Sequence, residues 1–170
     1  MEPIIRQARV DENEILTVIS FAAKRHWNYP ESYYKIWEKE LIITREYITQ
    51  NIVYNLIIKD EVVGFYSFLE NLHDFRSGDT FIEKGLWMEH LFILPSKHRI
   101  GLGSILLQHA KEVAESKVVD RFKVFVDPYA RGFYEKLGAI WLRDSLSSIP
   151  GRIIPVFEIK IKTRFANPAL

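Results

Sequence analysis

The chain has 170 residues, enough for one domain of ordinary size, and its 48% hydrophobic and 26% charged content allows a buried core under a charged surface. Lys and Arg number 23 against 22 Asp and Glu, so no overall charge favours nucleic acid or an anionic membrane as partner. Cysteine is absent, which excludes disulfides, thiolate catalysis and cysteine metal sites.

Residues 1–10 hold no apolar leader stretch, and no apolar run approaches the ~20 residues of a membrane helix, so a cytoplasmic enzyme is expected. Ile4, Ile5 and Val10 predict a first strand over residues 3–9. Asp11, with Glu14 three residues on, reads as a capping-box start, and Ile15, Ile19, Ala22 and Ala23 carry that helix to about Arg25. Pro30 opens a second helix with Tyr33, Tyr34, Trp37, Leu41 and Ile42 as its apolar stripe, and Thr44 caps a further short turn. Residues 52–59 and 62–69 then read as a hairpin turning at Asp60-Glu61. Residues 71–85 read mostly as loop, and 86–94 as a strand stopped by Pro95. A helix over 101–115 places Leu102, Leu106, Ala110, Val113 and Ala114 on one face. A strand at 122–126 leads to a helix capped by Asp127 with Pro128 at its first position, ended by Gly138. Residues 140–145 and 153–161 close the pattern as paired strands. The order β-α-α-β-β-β-α-β-α-β-β makes an α/β fold, a mixed sheet flanked by helices, in a single domain over 1–162 with a loose tail at 163–170.

The stretch from Leu94 to Ser104 leaves a strand and enters a helix through Gly101 and Gly103. A helix start offers unpaired N–H donors and a positive dipole end, and glycines let phosphates approach the backbone. Lys97, His98 and Arg99 add positive charge. A G-x-G pair alone reads equally as a tight turn; the P-loop pattern and the third glycine of a dinucleotide fingerprint are both missing, with Leu at 106.

Here the chain resembles the GNAT superfamily of N-acetyltransferases. His98-Arg99-Ile100-Gly101-Leu102-Gly103 is similar to that family's (Q/R)-x-x-G-x-(G/A) coenzyme motif, and residues 127–139 resemble its N-x-x-A-x-x-F-Y-x-x-x-G-F stretch. The element order is also the family's. The resemblance implies an acyl-CoA N-acyltransferase fold, with acetyl-CoA as co-substrate. It implies coenzyme contacts from His98, Arg99, Ile100, Gly101, Leu102, Gly103 and Ser104, and from Asp127, Ala130 and Phe133. It further implies that strand 86–94 splays from strand 122–126, leaving backbone groups near Phe92 and Ile93 to pair with the pantetheine arm. His98 stands where the family has Gln or Arg, and Asp127 where it has Asn, so backbone contacts are expected to outweigh side-chain ones.

Acetyl transfer requires a neutral amine and a proton for the leaving thiolate. By resemblance Tyr134 is the general acid; its other reading is a core tyrosine beside Phe133. Glu89, inside an apolar strand where burial raises its pKa, is the candidate base, directly or through water. His90 is the runner-up, since a regular strand puts Glu89, Leu91 and Ile93 on one face and His90, Phe92 and Leu94 on the other; a bulge would change this. Either residue also reads as a polar group satisfied by its neighbours. Trp27, Tyr29 and Arg152 are the candidate acceptor contacts, the aromatics by cation–π or stacking and Arg152 by pairing with an acceptor carboxylate or, equally, a surface acid. The five histidines lack metal-site spacing, so no metal is expected.

The reading is an acetyl-CoA-dependent N-acetyltransferase for a small-molecule amine or amino acid, with no nucleic-acid or membrane partner and, by analogy with the family, a homodimer. A protein or peptide acetyltransferase and a non-catalytic acyl-CoA-binding regulator are the alternatives.

Overall fold

The computed structural model describes residues 2–161; the expected loose tail at 163–170 lies outside them. Strand β1 (Ile4–Gln7) leads through a short 3-10 turn into α1 (Asn13–Arg25), followed by α2 (Glu31–Leu41) and α3 (Arg45–Gln50). The expected Asp11 cap is not made. Glu12 is buried and its Oε2 accepts the Arg9 N–H at 2.7 Å, while Arg6 pairs with it at 2.6 Å. Thr44 does cap α3, accepting the Tyr47 N–H at 3.0 Å. In α2 the buried stripe is Tyr34, Trp37 and Leu41; Ile42 lies beyond the helix and is exposed.

Strands β2 (Ile52–Ile58) and β3 (Glu61–Asn71) form the expected hairpin, but its turn is Lys59-Asp60, one residue earlier than read from sequence. Both turn residues have positive φ, 49° and 65°, the left-handed pair whose twist matches a two-residue hairpin. The segment expected to be loop contains a small hairpin, β4 (Phe75–Ser77) and β5 (Thr80–Ile82), too short and exposed to carry a periodic apolar signal. Strand β6 (Gly85–Ile93), helix α4 (Leu102–Ser116), strand β7 (Arg121–Phe125), helix α5 (Arg131–Lys136) and strands β8 (Ile140–Leu146) and β9 (Ile153–Lys160) complete the described residues. Gly138, at φ 82°, ends the α5 segment in the left-handed conformation expected of it.

Seven strands make one mixed sheet in the order β1-β2-β3-β6-β7-β9-β8. One face carries α4 and α5 over Tyr66, Phe68, Met88, Phe122, Val124 and Phe157; the other carries α1 and α3 over Val53 and Phe65, with α2 beside them. Among the described residues only β6 and β7 run parallel, and they pair at just two positions, Trp87 with Lys123 and Met88 with Val124. Past Met88 they part, as the resemblance implied, so the second half of β6 keeps β3 on one side and an open gap on the other. An N–H without a ladder partner must find another acceptor or water, so such an edge can take an extended ligand as an added strand.

Candidate active site

The gap opens into a cleft of about 930 Å³ that runs from the strand separation to the turn between β8 and β9. At one end β6 gives way to a 3-10 turn and the glycine segment. Arg99 and Gly101 both have positive φ, 63° and 87°, and this left-handed pair brings the chain sharply into α4. The first backbone bond closing that end is Ile105 N–H to the Gly101 carbonyl at 3.2 Å. The amides of Ile100, Gly101, Leu102, Gly103 and Ser104 donate to no acceptor among the described residues. Gly103 has a second reason to be glycine: a Cβ there would meet the Phe133 ring at 3.1–3.2 Å. The side chain of His98 does not reach toward these amides. Its Nε2 donates to the Ile93 carbonyl at 3.0 Å, and its ring meets His26 edge-on at 4.8 Å, so it braces the loop. Arg99 and Ile100 are exposed.

Strand alternation sets which β6 groups face the gap. Leu94 N–H donates to the Val63 carbonyl at 2.8 Å, and a Cβ on Gly64 would lie 2.7 Å from the Phe92 carbonyl, so Phe92 turns its backbone to β3. Leu91 and Ile93 therefore present theirs to the gap. Of the two residues expected there, Ile93 qualifies with its carbonyl shared with His98, and Leu91 takes the place of Phe92.

Tyr134 follows from α5, whose entry Asp127 and Pro128 fix: Asp127 Oδ1 accepts the Tyr129 N–H at 3.1 Å. Tyr134 is 6% exposed, lines the cleft beside Ala130 and Phe133, and its hydroxyl has no hydrogen-bond partner among the described residues. Burial pushes its pKa up, so the phenol keeps its proton.

Glu89 and His90 occupy the point where β6 leaves β7. A β-bulge sits there: Ser67 pairs with His90 and Phe68 with Met88, leaving Glu89 unmatched. A regular strand would put Glu89 on the same side as Leu91 and Ile93. With the extra residue, Leu91 and Ile93 pack on the α4 face with Met88, while Glu89 turns to α3. There the Tyr47 hydroxyl donates to Glu89 Oε2 and receives one from Ser67, 2.7 Å away. Glu89 is raised above the usual carboxyl range, by burial first and by the nearby Glu40 as well, against the Tyr47 hydrogen bond, which lowers it. His90, stacked at 5.4 Å on Phe92, is 5% exposed and makes no side-chain hydrogen bond among the described residues; its Nε2 lies 3.8 Å from Glu89 Oε2. Burial, with the charge of Lys24, pushes His90 down to about 3, so its imidazole is neutral.

Of the remaining expected residues, Trp27, Asp127 and Arg152 line another part of the cleft, while Tyr29 bonds to Asp127 and Arg152 without lining it. Trp27 stacks on Tyr129 at 5.1 Å. Asp127, beyond its capping bond, accepts from the Tyr29 hydroxyl at 2.7 Å and pairs with Lys24 at 2.8 Å and Arg152 at 3.4 Å. Arg152 Nη2 also donates to the Tyr29 hydroxyl at 3.1 Å. Burial raises the carboxyl of Asp127, but Lys24 and the bonds from Lys24, Tyr29 and Tyr129 outweigh it and hold the group below its ordinary value. Lys24 is lowered by burial against the pull of Asp127. Arg152 thus has an internal carboxylate, on a side chain expected only to cap and to touch coenzyme. Lys24, Glu40, Tyr47 and Tyr129 are not marked by the sequence: the first three sit on helices with no local motif, Tyr129 fills an unspecified position of the 127–139 stretch, and only the fold brings Lys24, Glu40 and Tyr129 to the cleft and Tyr47 to Glu89. Among the described residues no three His, Asp or Glu side chains converge as a metal site, and no helix is long and apolar enough to cross a membrane.

Residues 15–139 match the family model of the acetyltransferase (GNAT) family. No curated protein matches the sequence. Among solved structures the chain is similar to the PaiA N-acetyltransferase of Thermoplasma acidophilum in complex with coenzyme A, at 17% identity and TM-score 0.72, covering 94% of this chain and 99% of that one. It is similar to a GCN5-related N-acetyltransferase of Rhodopseudomonas palustris (15%, TM-score 0.73, 94% and 96%). It is also similar to the ribosomal-protein-S18-alanine N-acetyltransferase of Escherichia coli (16%, TM-score 0.65, 99% and 100%). At these identities the likeness is one of fold.

Proposed function

The chain belongs to the GNAT acetyltransferase family, and on that premise we propose that it moves the acetyl group of acetyl-CoA to the primary amine of a small molecule, by direct attack within a ternary complex. The observation that carries this reading is the run of free amides at the start of α4, opening on a gap between two parting strands. Those amides and the dipole of α4 suit the diphosphate, and the gap-facing backbone of Leu91 and Ile93 suits the amides of the pantetheine arm. Asp127, Ala130 and Phe133 belong to this reading as the floor on which the arm rests, with Asp127 acting mainly through the position it gives the α5 segment.

An amine attacks only when neutral. Glu89, held by Tyr47 and raised toward neutrality, accepts the ammonium proton directly or through a water molecule. The amine nitrogen then bonds to the thioester carbonyl carbon; as the tetrahedral adduct collapses, the C–S bond breaks and the sulfur leaves with its electron pair. Tyr134, a protonated phenol at the cleft wall, gives that thiolate its proton. His90 is a poor base at a pKa of about 3, which favours Glu89 for the role. The aromatic roof of Trp27 and Trp37, with Tyr29 packed edge-on against Trp37, over a cleft of this size favours a small acceptor over a peptide chain.

The test is acetyl-CoA-dependent release of free thiol over a panel of amines, amino acids, polyamines and peptides, alongside calorimetric titration with CoA. CoA binding with turnover of small amines is expected. Turnover of peptides alone would move the acceptor to a protein terminus, and CoA binding without turnover of any acceptor would make the chain a regulator.

A further inference from the structure

Three charged side chains meet on the α1–α2 side of the cleft: Lys24, Asp127 and Arg152, with side-chain exposures of 16%, 13% and 12%. Two cations share one directly bonded carboxylate in a place largely removed from water, and the other acid that acts on Lys24, Glu40 of α2, does so through space from an exposed position, which leaves the Arg152 fork with Asp127 alone. A buried charge without a counter-charge is costly. The rings of Trp37 and Tyr29 lie under the cations, Lys24 Nζ at 4.4 Å and the Arg152 guanidinium at 5.2 Å from the Trp37 centroid, but a ring orients a cation without neutralising it. Arg152 spends only Nη2 on the protein; its Nε and Nη1 have no acceptor among the described residues, and the side chain lines the cleft.

We infer that Arg152 and Lys24 form an anion subsite for the acceptor, and that the acceptor is an amine that also carries a carboxylate. This rests on the acetyltransferase reading and narrows its substrate. The position of the cluster argues for the acceptor as the source of the anion. Ile149, from the same turn as Arg152, packs among Tyr34, Trp37 and Leu41, the face of the sheet opposite α4. The free amides proposed for the phosphates belong to α4, which packs on the other face. Glu89 and His90 line the same cleft from β6, so an amino carboxylic acid would send its nitrogen toward β6 and its carboxylate toward the β8–β9 turn.

The experiment compares kcat/KM for acceptors that differ only in the carboxylate: phenylalanine with phenethylamine, 4-aminobutyrate with propylamine, lysine with cadaverine. In at least one pair the acid is expected to be preferred by about 10-fold or more, the scale of a hydrogen bond to a charged group. Arg152→Gln should cut that preference ratio by roughly 10–100-fold with CoA affinity held within about two-fold, and Arg152→Lys should keep part of it. Equal or better use of the carboxylate-free amine in every pair overturns the inference, as does an Arg152→Gln variant that loses CoA affinity while its ratio stays put, which would assign the cations to coenzyme phosphate. If Arg152→Gln does not fold, the native ratios and Arg152→Lys decide. Absence of CoA binding altogether brings down the acetyltransferase reading, whereas CoA binding with turnover of carboxylate-free amines alone brings down only this subsite.

Discussion

The two walls of the cleft are made of different material. The α4 wall is backbone: amides of residues 100–104, the gap-facing edge of β6, Gly101 in its left-handed conformation, and Gly103 where a side chain would crowd Phe133. The α1–α2 wall is side chain: Lys24, Asp127 and Arg152, held together with Tyr29, come from separate elements, up to 128 residues apart in sequence, and meet through hydrogen bonds of 2.7–3.4 Å. Backbone recognition depends on chain geometry and is indifferent to most side chains, which suits a ligand common to a whole family. Side-chain recognition can be rewritten one residue at a time, which suits an acceptor that differs from enzyme to enzyme.

Substitutions can break or sharpen that division. The largest effect is expected at Tyr134, the side chain on the backbone wall to which the proposed mechanism gives the acid role: Tyr134→Phe should lower kcat by about 10²–10³-fold with CoA affinity nearly unchanged, measured by steady-state rates and calorimetry. Equal turnover in the variant would leave that wall with binding alone. Glu89→Gln should cost about 10–100-fold in kcat at neutral pH. As the proposed base, Glu89 must be ionised, so native activity should fall as pH drops through a carboxyl value raised above its usual 4.5. Glutamine does not titrate, and an acidic limb that survives the substitution would exclude Glu89. Gly103→Ala places a methyl 3.1–3.2 Å from the Phe133 ring; a loss of about 1–2 kcal/mol in stability and a several-fold weaker CoA complex are expected, against no change for the Arg152 substitutions.

The smallest effect concerns His90. Its folded value, about 3, lies below its ordinary 6.5, so the unfolded chain binds the extra proton. Stability from this group is complete above about 6.5 and is lost as pH falls toward 3, at no more than about 1.4 kcal/mol per pH unit. Urea melts of His90→Asn across that range should show a flatter acid decline than the native chain; identical slopes would mean the imidazole is protonated in the fold.

This division also explains what could be read ahead of the structure. The element order, the helix over 101–115 and the parting of the two parallel strands were legible because periodicity, glycines and a motif resemblance are local records of backbone. The Thr44 cap was legible for the same reason. The Lys24–Asp127 pair spans 103 residues and leaves no trace along the chain. Asp127 looked like a cap because its capping bond is the local part of its role. The Glu12 cluster was misread as an Asp11 cap because two neighbouring acids compete for the same helix start, and Arg6 with buried Asn55 decides for Glu12.

The bulge at Glu89 has one more consequence. Leu86 and Met88 before it, and Leu91 and Ile93 after it, all pack into the same core, although counting by twos from Met88 leads to His90. Taking out position 89 would give an unbroken ladder with every apolar neighbour still inward. The architecture thus has no use for this residue. The strand is one residue longer than its sheet requires, and the surplus carboxylate stands where the two parallel strands begin to separate.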